Sequence, residues 1–302
     1  MAKEELLGMI ARWKQERQAV ILAHNYQLGE VQDLADFVGD SLELSRQAAR
    51  TEAPVIVFCG VRFMAETASI LSPQKVVLHP DPSAGCPLAN MINAEQLRAL
   101  KAEHPGRPVV CYVNSSAEVK AESDLCCTSA NAVAVVNAAP GEEVIFVPDR
   151  NLGAWVAGQT GKRLIIWDGY CPTHERIMPE QIEQLRDRHP EAVVMVHPEC
   201  RPAVVALADE VLSTGGMLRF ARISPAQELI VGTELGLIHR LEQENPGKRC
   251  YPVSRLTTCP NMKRITLEKV LWSLEDMKDQ VVVPEPVRSR ARRAIERMVE
   301  IG

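Results

Sequence analysis

Residues 164–174 read Leu164-Ile165-Ile166-Trp167-Asp168-Gly169-Tyr170-Cys171-Pro172-Thr173-His174. Leu164 to Ile166 form a short apolar run, as a parallel strand buried on both faces does. Asp168 and Gly169 break the run, and Pro172 forbids its continuation. One thiol, Cys171, is thereby held just past the C-terminal end of a strand, the rim at which open α/β sheets bind ligands. The same device recurs on either side. Val76-Val77-Leu78-His79-Pro80 leads through Gly85 to Cys86, and Cys250-Tyr251-Pro252-Val253 leads through Thr258 to Cys259-Pro260. The three thiols stand 85 and 88 residues apart.

Other landmarks keep the same pace. The strand Ala19–Ala23 returns as Val109-Val110-Cys111-Tyr112, with Val109 following Val20 by 89 residues, and again at Val193-Val194-Met195-Val196, 84 residues further on. Ala35-Asp36 to Ser41 becomes Ser123-Asp124 to Ser129, then Ala208-Asp209 to Thr214. The inner strand Val55–Phe58 becomes Val144–Val147, then Leu229–Gly232. A fixed period marks repeated structural units. Strands alternating with helical patterns predict an α/β fold with parallel βαβ connections. Three such units around a pseudo-threefold axis bring their strand ends, and all three cysteines, to one centre. The expected division is 1–86, 87–171 and 172–262, followed by a helical segment 263–302 whose last helix, within 284–302, packs on the first unit. Helices are predicted at Glu4–Arg17, Gly29–Phe37, Arg62–Leu71, Leu267–Met277 and Arg288–Ile301. The last of these turns Ala291, Ala294, Ile295 and Met298 inward and a row of arginines to solvent.

The chain has 302 residues, 46% of them hydrophobic and 24% charged, with a net charge of −5. That composition suits a soluble globular protein and argues against a nucleic-acid partner, which calls for a basic face. The first residues, Met-Ala-Lys-Glu-Glu-Leu-Leu, lack the shape of a signal peptide, and no apolar stretch is long enough to span a membrane. A cytoplasmic setting is expected, and there nine cysteines are not a disulfide framework. Cys59, Cys111, Cys126, Cys127, Cys200 and Cys250 lie in or beside apolar strands and read as core. Cys86, Cys171 and Cys259 lie in loops beside Gly or Pro, one per repeat, and read as a ligand set. With no C-x-x-C pair, three thiolates suit zinc or an iron–sulfur cluster with one iron left open.

Polar residues end the first strand of each unit: His24, Asn25 and Tyr26; Tyr112, Asn114 and Ser115; His197 and Glu199. Such clusters suit a small polyanion. Ser41, Ser129, Ser213 and Thr214 precede predicted helices, where they act as N-caps or help helix N-termini bind anions.

The motifs then become specific. His24-Asn25-Tyr26-Gln27, Gly60-Val61-Arg62-Phe63-Met64-Ala65-Glu66, Cys111 to Ala121, Cys127-Thr128-Ser129-Ala130-Asn131, His197-Pro198-Glu199-Cys200, Val231-Gly232-Thr233-Glu234 and Cys259-Pro260-Asn261-Met262-Lys263 resemble the quinolinate synthase family from about residue 18 to 275. The resemblance implies three similar three-layer αβα domains around a 4Fe-4S cluster held by Cys86, Cys171 and Cys259. It implies condensation of iminoaspartate with dihydroxyacetone phosphate to quinolinate, in NAD biosynthesis, and a transient contact with the enzyme that makes iminoaspartate. Tyr26, Tyr112, His24, His197 and Glu199 are the implied catalytic group. Ser41, Asn114, Ser129, Ser213, Thr214 and His174, together with His24, Tyr112, His197 and Glu199, are the implied substrate contacts. One departure is visible: Leu256-Thr257-Thr258-Cys259 carries a single thiol where some family members have C-x-x-C-x-x-C.

Overall fold

The computed structural model describes residues 2–301. Within them, β1 (Ala19–His24), β2 (Phe37–Gly39), β3 (Val55–Cys59) and β4 (Val76–Leu78) form a parallel sheet in the order β2-β1-β3-β4. β5 (Val109–Tyr112), β6 (Leu125–Cys127), β7 (Glu143–Val147) and β8 (Arg163–Ile166) form a second in the order β6-β5-β7-β8. β9 (Val193–Val196), β10 (Glu210–Val211), β11 (Glu228–Gly232) and β12 (Arg249–Pro252) form a third in the order β10-β9-β11-β12. All three orders are the same, all pairings are parallel, and helices flank each sheet. The expected α/β architecture of three similar units is what forms.

One hydrogen-bond device recurs in every unit. The Asp36 carboxylate accepts the Ile21 N–H at 2.8 Å, Asp124 accepts that of Val109 at 2.8 Å, and Asp209 accepts that of Val194 at 2.8 Å. In return, the N–H of each aspartate donates to the carbonyl of the same partner. This clamp explains a difference from the sequence reading. The helix predicted over Gly29–Phe37 stops at Leu34, because Asp36 pulls the chain beside β1 and makes Phe37–Gly39 an edge strand. The clamps also set the repeat register: Ile21, Val109 and Val194 are equivalent. The sequence spacing had paired Val20 with Val109, one residue out of phase.

Cys59, Cys111, Cys126, Cys127, Cys200 and Cys250 are buried core residues, as read from the sequence. The N-terminal helix Lys3–Glu16 buries Leu6 and Ile10 against Val270, Leu271 and Leu274 of the helix Leu267–Asp276, which covers the first sheet. The final helix, Glu285–Glu300, starts three residues before the predicted Arg288, with Pro286 in its first turn, where a missing N–H costs nothing. Ala291, Ala294, Ile295 and Met298 are its buried face. It packs on the helix Ala117–Ala121 and on β6 of the second unit, and on the helix Arg62–Leu71 of the first. Asn131 Nδ2 donates to the carbonyls of Met298 and Ile301 at 2.9 and 2.7 Å, tying down its C-terminal end.

The clamp aspartates are testable one at a time. Asp124→Ala removes the side-chain acceptor of a backbone N–H and is expected to destabilise the protein by about 1–3 kcal/mol in urea unfolding. Asp124→Asn keeps an acceptor oxygen and is expected to recover most of that loss.

Candidate active site

The clamps fix which strand ends are equivalent. Three residues beyond Ile21, Val109 and Val194 come His24, Tyr112 and His197. Two further on come Tyr26, Asn114 and Glu199. These three pairs meet in one cavity with Cys86, Cys171 and Cys259. Ser41, Ser129, His174 and Thr214 line it too. Asn25, Ser115 and Ser213 stand behind the lining: Asn25 Nδ2 donates to Thr214 Oγ1 at 2.9 Å, and the Ser115 hydroxyl donates to the Tyr112 carbonyl at 3.0 Å. Ser213 is a cap. Its hydroxyl accepts the Gly216 N–H at 3.1 Å as an N-cap and reaches the Asp40 carboxylate at 3.3 Å. Asp40 in turn, not Ser41, caps the helix Ser41–Arg50, in a capping box with Glu43.

Glu199 is the centre of the polar network and is 3% exposed. Its Oε2 lies 2.7 Å from His174 Nδ1 and 3.8 Å from His197 Nδ1. Asn114 Nδ2 donates to its Oε1 at 3.2 Å, and the Tyr112 hydroxyl faces the same carboxylate. Burial alone would raise the Glu199 carboxyl. His174, His197 and the Tyr112 hydroxyl outweigh it and hold the group well below the usual carboxylate range. Burial, with Glu199 adding to it, pushes both Tyr26 and Tyr112 well above the usual phenol value, so both keep their protons.

The three histidines are held in two ways. In His24 and His197, Nδ1 accepts a backbone N–H two residues on, from Tyr26 at 3.1 Å and from Glu199 at 3.3 Å. Each ring therefore carries its proton on Nε2, and His197 directs it at the Ser129 hydroxyl, 3.1 Å away. Burial, helped by Lys263 at His24, pushes both histidines down to about 3. His174 is the reverse. Its Nδ1 faces Glu199 and, at 3.2 Å, Cys171 Sγ, while Nε2 faces the Thr233 hydroxyl at 2.9 Å and the Tyr26 hydroxyl at 3.3 Å. Tyr26 and Thr233 are 2.5 Å apart. A continuous hydrogen-bonded chain thus runs from Thr233 and Tyr26 through His174 to Glu199 and Tyr112.

Each of the three thiols precedes a 3₁₀ turn: Leu88–Asn90, His174–Arg176 and Met262–Arg264. Backbone N–H groups of those turns face the sulfurs, Ala89 and Leu88 for Cys86, His174 for Cys171, and Met262 and Asn261 for Cys259. Burial nonetheless raises all three thiols, Cys86 to about 12, so they stay protonated until a cation arrives. Three soft donors on one rim, each with N–H support for a thiolate, suit an iron–sulfur group or zinc. No fourth cysteine lines the cavity among the described residues.

Several lining residues escaped the sequence reading. Val61, Phe63 and Met64 form an apolar wall, and Asp40, Thr128, Thr173, Glu234 and Met262 complete the lining. Thr233, behind Tyr26, had been quoted only as part of a motif. Its signal is positional, since it follows β11 as Gly60 follows β3 and Pro148 follows β7.

No helix among the described residues is long and apolar enough to cross a membrane. The profile of the family described as "Quinolinate synthetase A protein" matches residues 8–300. A protein named quinolinate synthase from Dehalococcoides mccartyi (strain CBDB1) is 60% identical over the whole of both chains. Proteins of the same name from Geobacter metallireducens and Methanoregula boonei are 57% and 53% identical, each covering this whole chain and 99% and 98% of their own. With the thiol triad and the strand-end pairs in place, the chain belongs to the quinolinate synthetase A family of enzymes.

Proposed function

We propose that this protein condenses iminoaspartate with dihydroxyacetone phosphate to give quinolinate, releasing phosphate and water, as a step of NAD biosynthesis. The observation that carries this reading is the meeting of three equivalent strand-end pairs with three thiols in one cavity. The names of the relatives support the same activity. Residues 1–86, 87–171 and 172–262 each contribute one thiol and one pair, and 263–302 closes the assembly. Cys86, Cys171 and Cys259 would hold a 4Fe-4S cluster, whose open iron supplies a Lewis acid for a substrate oxygen or nitrogen when it is bound.

The protein's own groups supply the rest. The Nε2–H of His24 and of His197 are neutral donors for carboxylate oxygens. Thr214 stands in the first turn of Thr214–Ile223, where the helix N-terminus favours anions, and Ser41 adds a hydroxyl beside the Asp40 cap. Ser129 and Asn114 add a hydroxyl and an amide, and Ser213 acts one step back by shaping the second helix start. Glu199, ionised and held on two sides, takes protons from substrate carbon or nitrogen. Tyr112 returns them, and Tyr26 with His174 connects the same network to the opposite wall. Val61, Phe63 and Met64 keep water from an imine that it would hydrolyse. Iminoaspartate reaches the site through a transient contact with the enzyme that makes it. A cytoplasmic setting accords with nine cysteines that are all free.

A second reading has one observation behind it. Ligand atoms of Cys171, His174 and Glu199 lie within 4.8 Å of one another, which also suits a single zinc ion.

Anaerobic metal and sulfide analysis separates the two. About four irons and four sulfides per chain, lost with Cys86→Ser, Cys171→Ser or Cys259→Ser, are expected; one zinc with a flat visible spectrum would replace the cluster reading with a zinc lyase. Glu199→Gln is expected to lower kcat for quinolinate by roughly 10²–10⁴ while iron content stays at the wild-type level. The two depressed histidines predict a pH effect with a definite sign. As pH falls below about 6.5, the unfolded chain gains protons that buried His24 and His197 refuse, so stability falls by up to about 1.4 kcal/mol per pH unit for each. Urea unfolding between pH 7 and 5 should show a shallower slope in His24→Asn.

A further inference from the structure

The repeat register exposes a second set of equivalent positions. Val57, Ile145 and Ile230 pair with Ile21, Val109 and Val194. Four residues on, at the ends of β3, β7 and β11, stand Val61, Asp149 and Glu234. Two of the three are carboxylates, and both are buried, Asp149 at 0% exposure and Glu234 at 1%.

Each carboxylate faces the backbone of a thiol loop from its own unit. Glu234 Oε1 accepts the Cys259 N–H at 3.0 Å and lies 3.0 Å from Lys263 Nζ, while Oε2 accepts the Gly236 N–H at 2.6 Å. The fit is close: a Cβ on Gly236 would stand 2.8 Å from Glu234 Oε2. Asp149 Oδ1 accepts the Leu152 N–H at 2.8 Å, and the N–H groups of Asn151 and Cys171 also face its carboxylate. Its Oδ2 is buried with no partner at hydrogen-bond distance. Asp149 also bridges to Gly169 in the Cys171 loop, and the Arg150 N–H donates to the Gly169 carbonyl at 2.7 Å. A Cβ on Gly169 would stand 2.4 Å from the Pro148 carbonyl oxygen, so only glycine lets the loop lie this close to β7. In the first unit, where Val61 replaces the carboxylate, the end of β3 meets the loop before Cys86 through main chain, the Arg62 N–H donating to the Ala84 carbonyl at 2.8 Å.

We infer that Asp149 and Glu234 are positioning residues that fix the backbone of the Cys171 and Cys259 loops, and so the direction in which two of the three thiols present their sulfur. The inference rests on the reading of Cys86, Cys171 and Cys259 as one ligand set. The shared property of the two residues is an acceptor oxygen, not a charge. Glu234 is neutralised by Lys263, whereas Asp149 has no cation beside it. Partners that orient metal ligands from behind typically change metal retention 10–100-fold when removed.

The test uses the full chain loaded anaerobically with iron and sulfide, then challenged with excess chelator while the visible absorption decays. Asp149→Ala and Glu234→Ala are expected to release iron about 10–100-fold faster than wild type, and Asp149→Asn, which keeps the acceptor, within about twofold of it. Alanine variants that release iron at the wild-type rate would overturn the inference. So would an Asp149→Asn variant as fast as Asp149→Ala, because the shared property would then be charge. A second readout needs no cluster. In iron-free protein labelled with ¹⁵N only at cysteine, the Cys171 and Cys259 amides should exchange slowly in wild type and Asp149→Asn. In Asp149→Ala the Cys171 amide alone should speed up. A wild type that takes up no iron would overturn the cluster reading, while the amide exchange would still decide the anchor. If Asp149→Ala does not fold, Glu234→Ala and the wild-type amides carry the decision.

Discussion

The 2.7 Å contact between Glu199 and His174 stands in the cavity where residues of all three units meet. An ionised carboxylate in such a place costs several kcal/mol unless every lone pair is answered. Here the answers come from separate units: Asn114 and Tyr112 from the second, and His174 from the third. The same requirement shapes the surroundings. Tyr26 and Thr233 exist in this geometry because His174 Nε2 needs donors once Nδ1 is committed to the carboxylate. Removing any member leaves another buried polar atom unpaired, which makes the centre a unit that forms whole or not at all.

Much of this was legible from residues. Three apolar runs ending at Gly, Pro and Cys revealed the repeat, and the helical spacing of Ala291, Ala294, Ile295 and Met298 identified the buried face of the last helix. The phase was not legible. Parallel strands buried on both faces, such as Ala19–His24 and Val55–Cys59, carry no alternation, so no period-2 signal distinguishes Val20 from Ile21 as the partner of Val109. The edge strands β2, β6 and β10 have two or three residues each, too short for any pattern to separate from loop. What marks them is a single aspartate whose hydrogen bond appears only in three dimensions.

Site residues divide along the same line. Those at strand ends or in loops with unusual composition, from His24 to Cys259, stood out because polar groups there have no packing reason to exist. Asp149, Thr233 and Glu234 did not, because a carboxylate or hydroxyl at the start of a helix is ordinary N-terminal chemistry. Their meaning depends on which backbone amide they face. Ser213 shows the converse: it reads as a ligand contact by sequence and is spent on a helix cap and Asp40.

The last helix sits far in sequence from what it touches. Asn131 holds the carbonyl of Met298, 167 residues later, and the helix covers parts of both the first and second units. Pairings of such high sequence separation form late, after the loops that they close have been brought together. On the ribosome, the first two units emerge while this cover is still unsynthesised, leaving their apolar seam bare until Glu285–Glu300 follows. Synthesis of Glu285–Glu300 is therefore what buries that seam, and an otherwise intact chain cut before Glu285 would meet the cell with an adhesive surface in place of a finished enzyme.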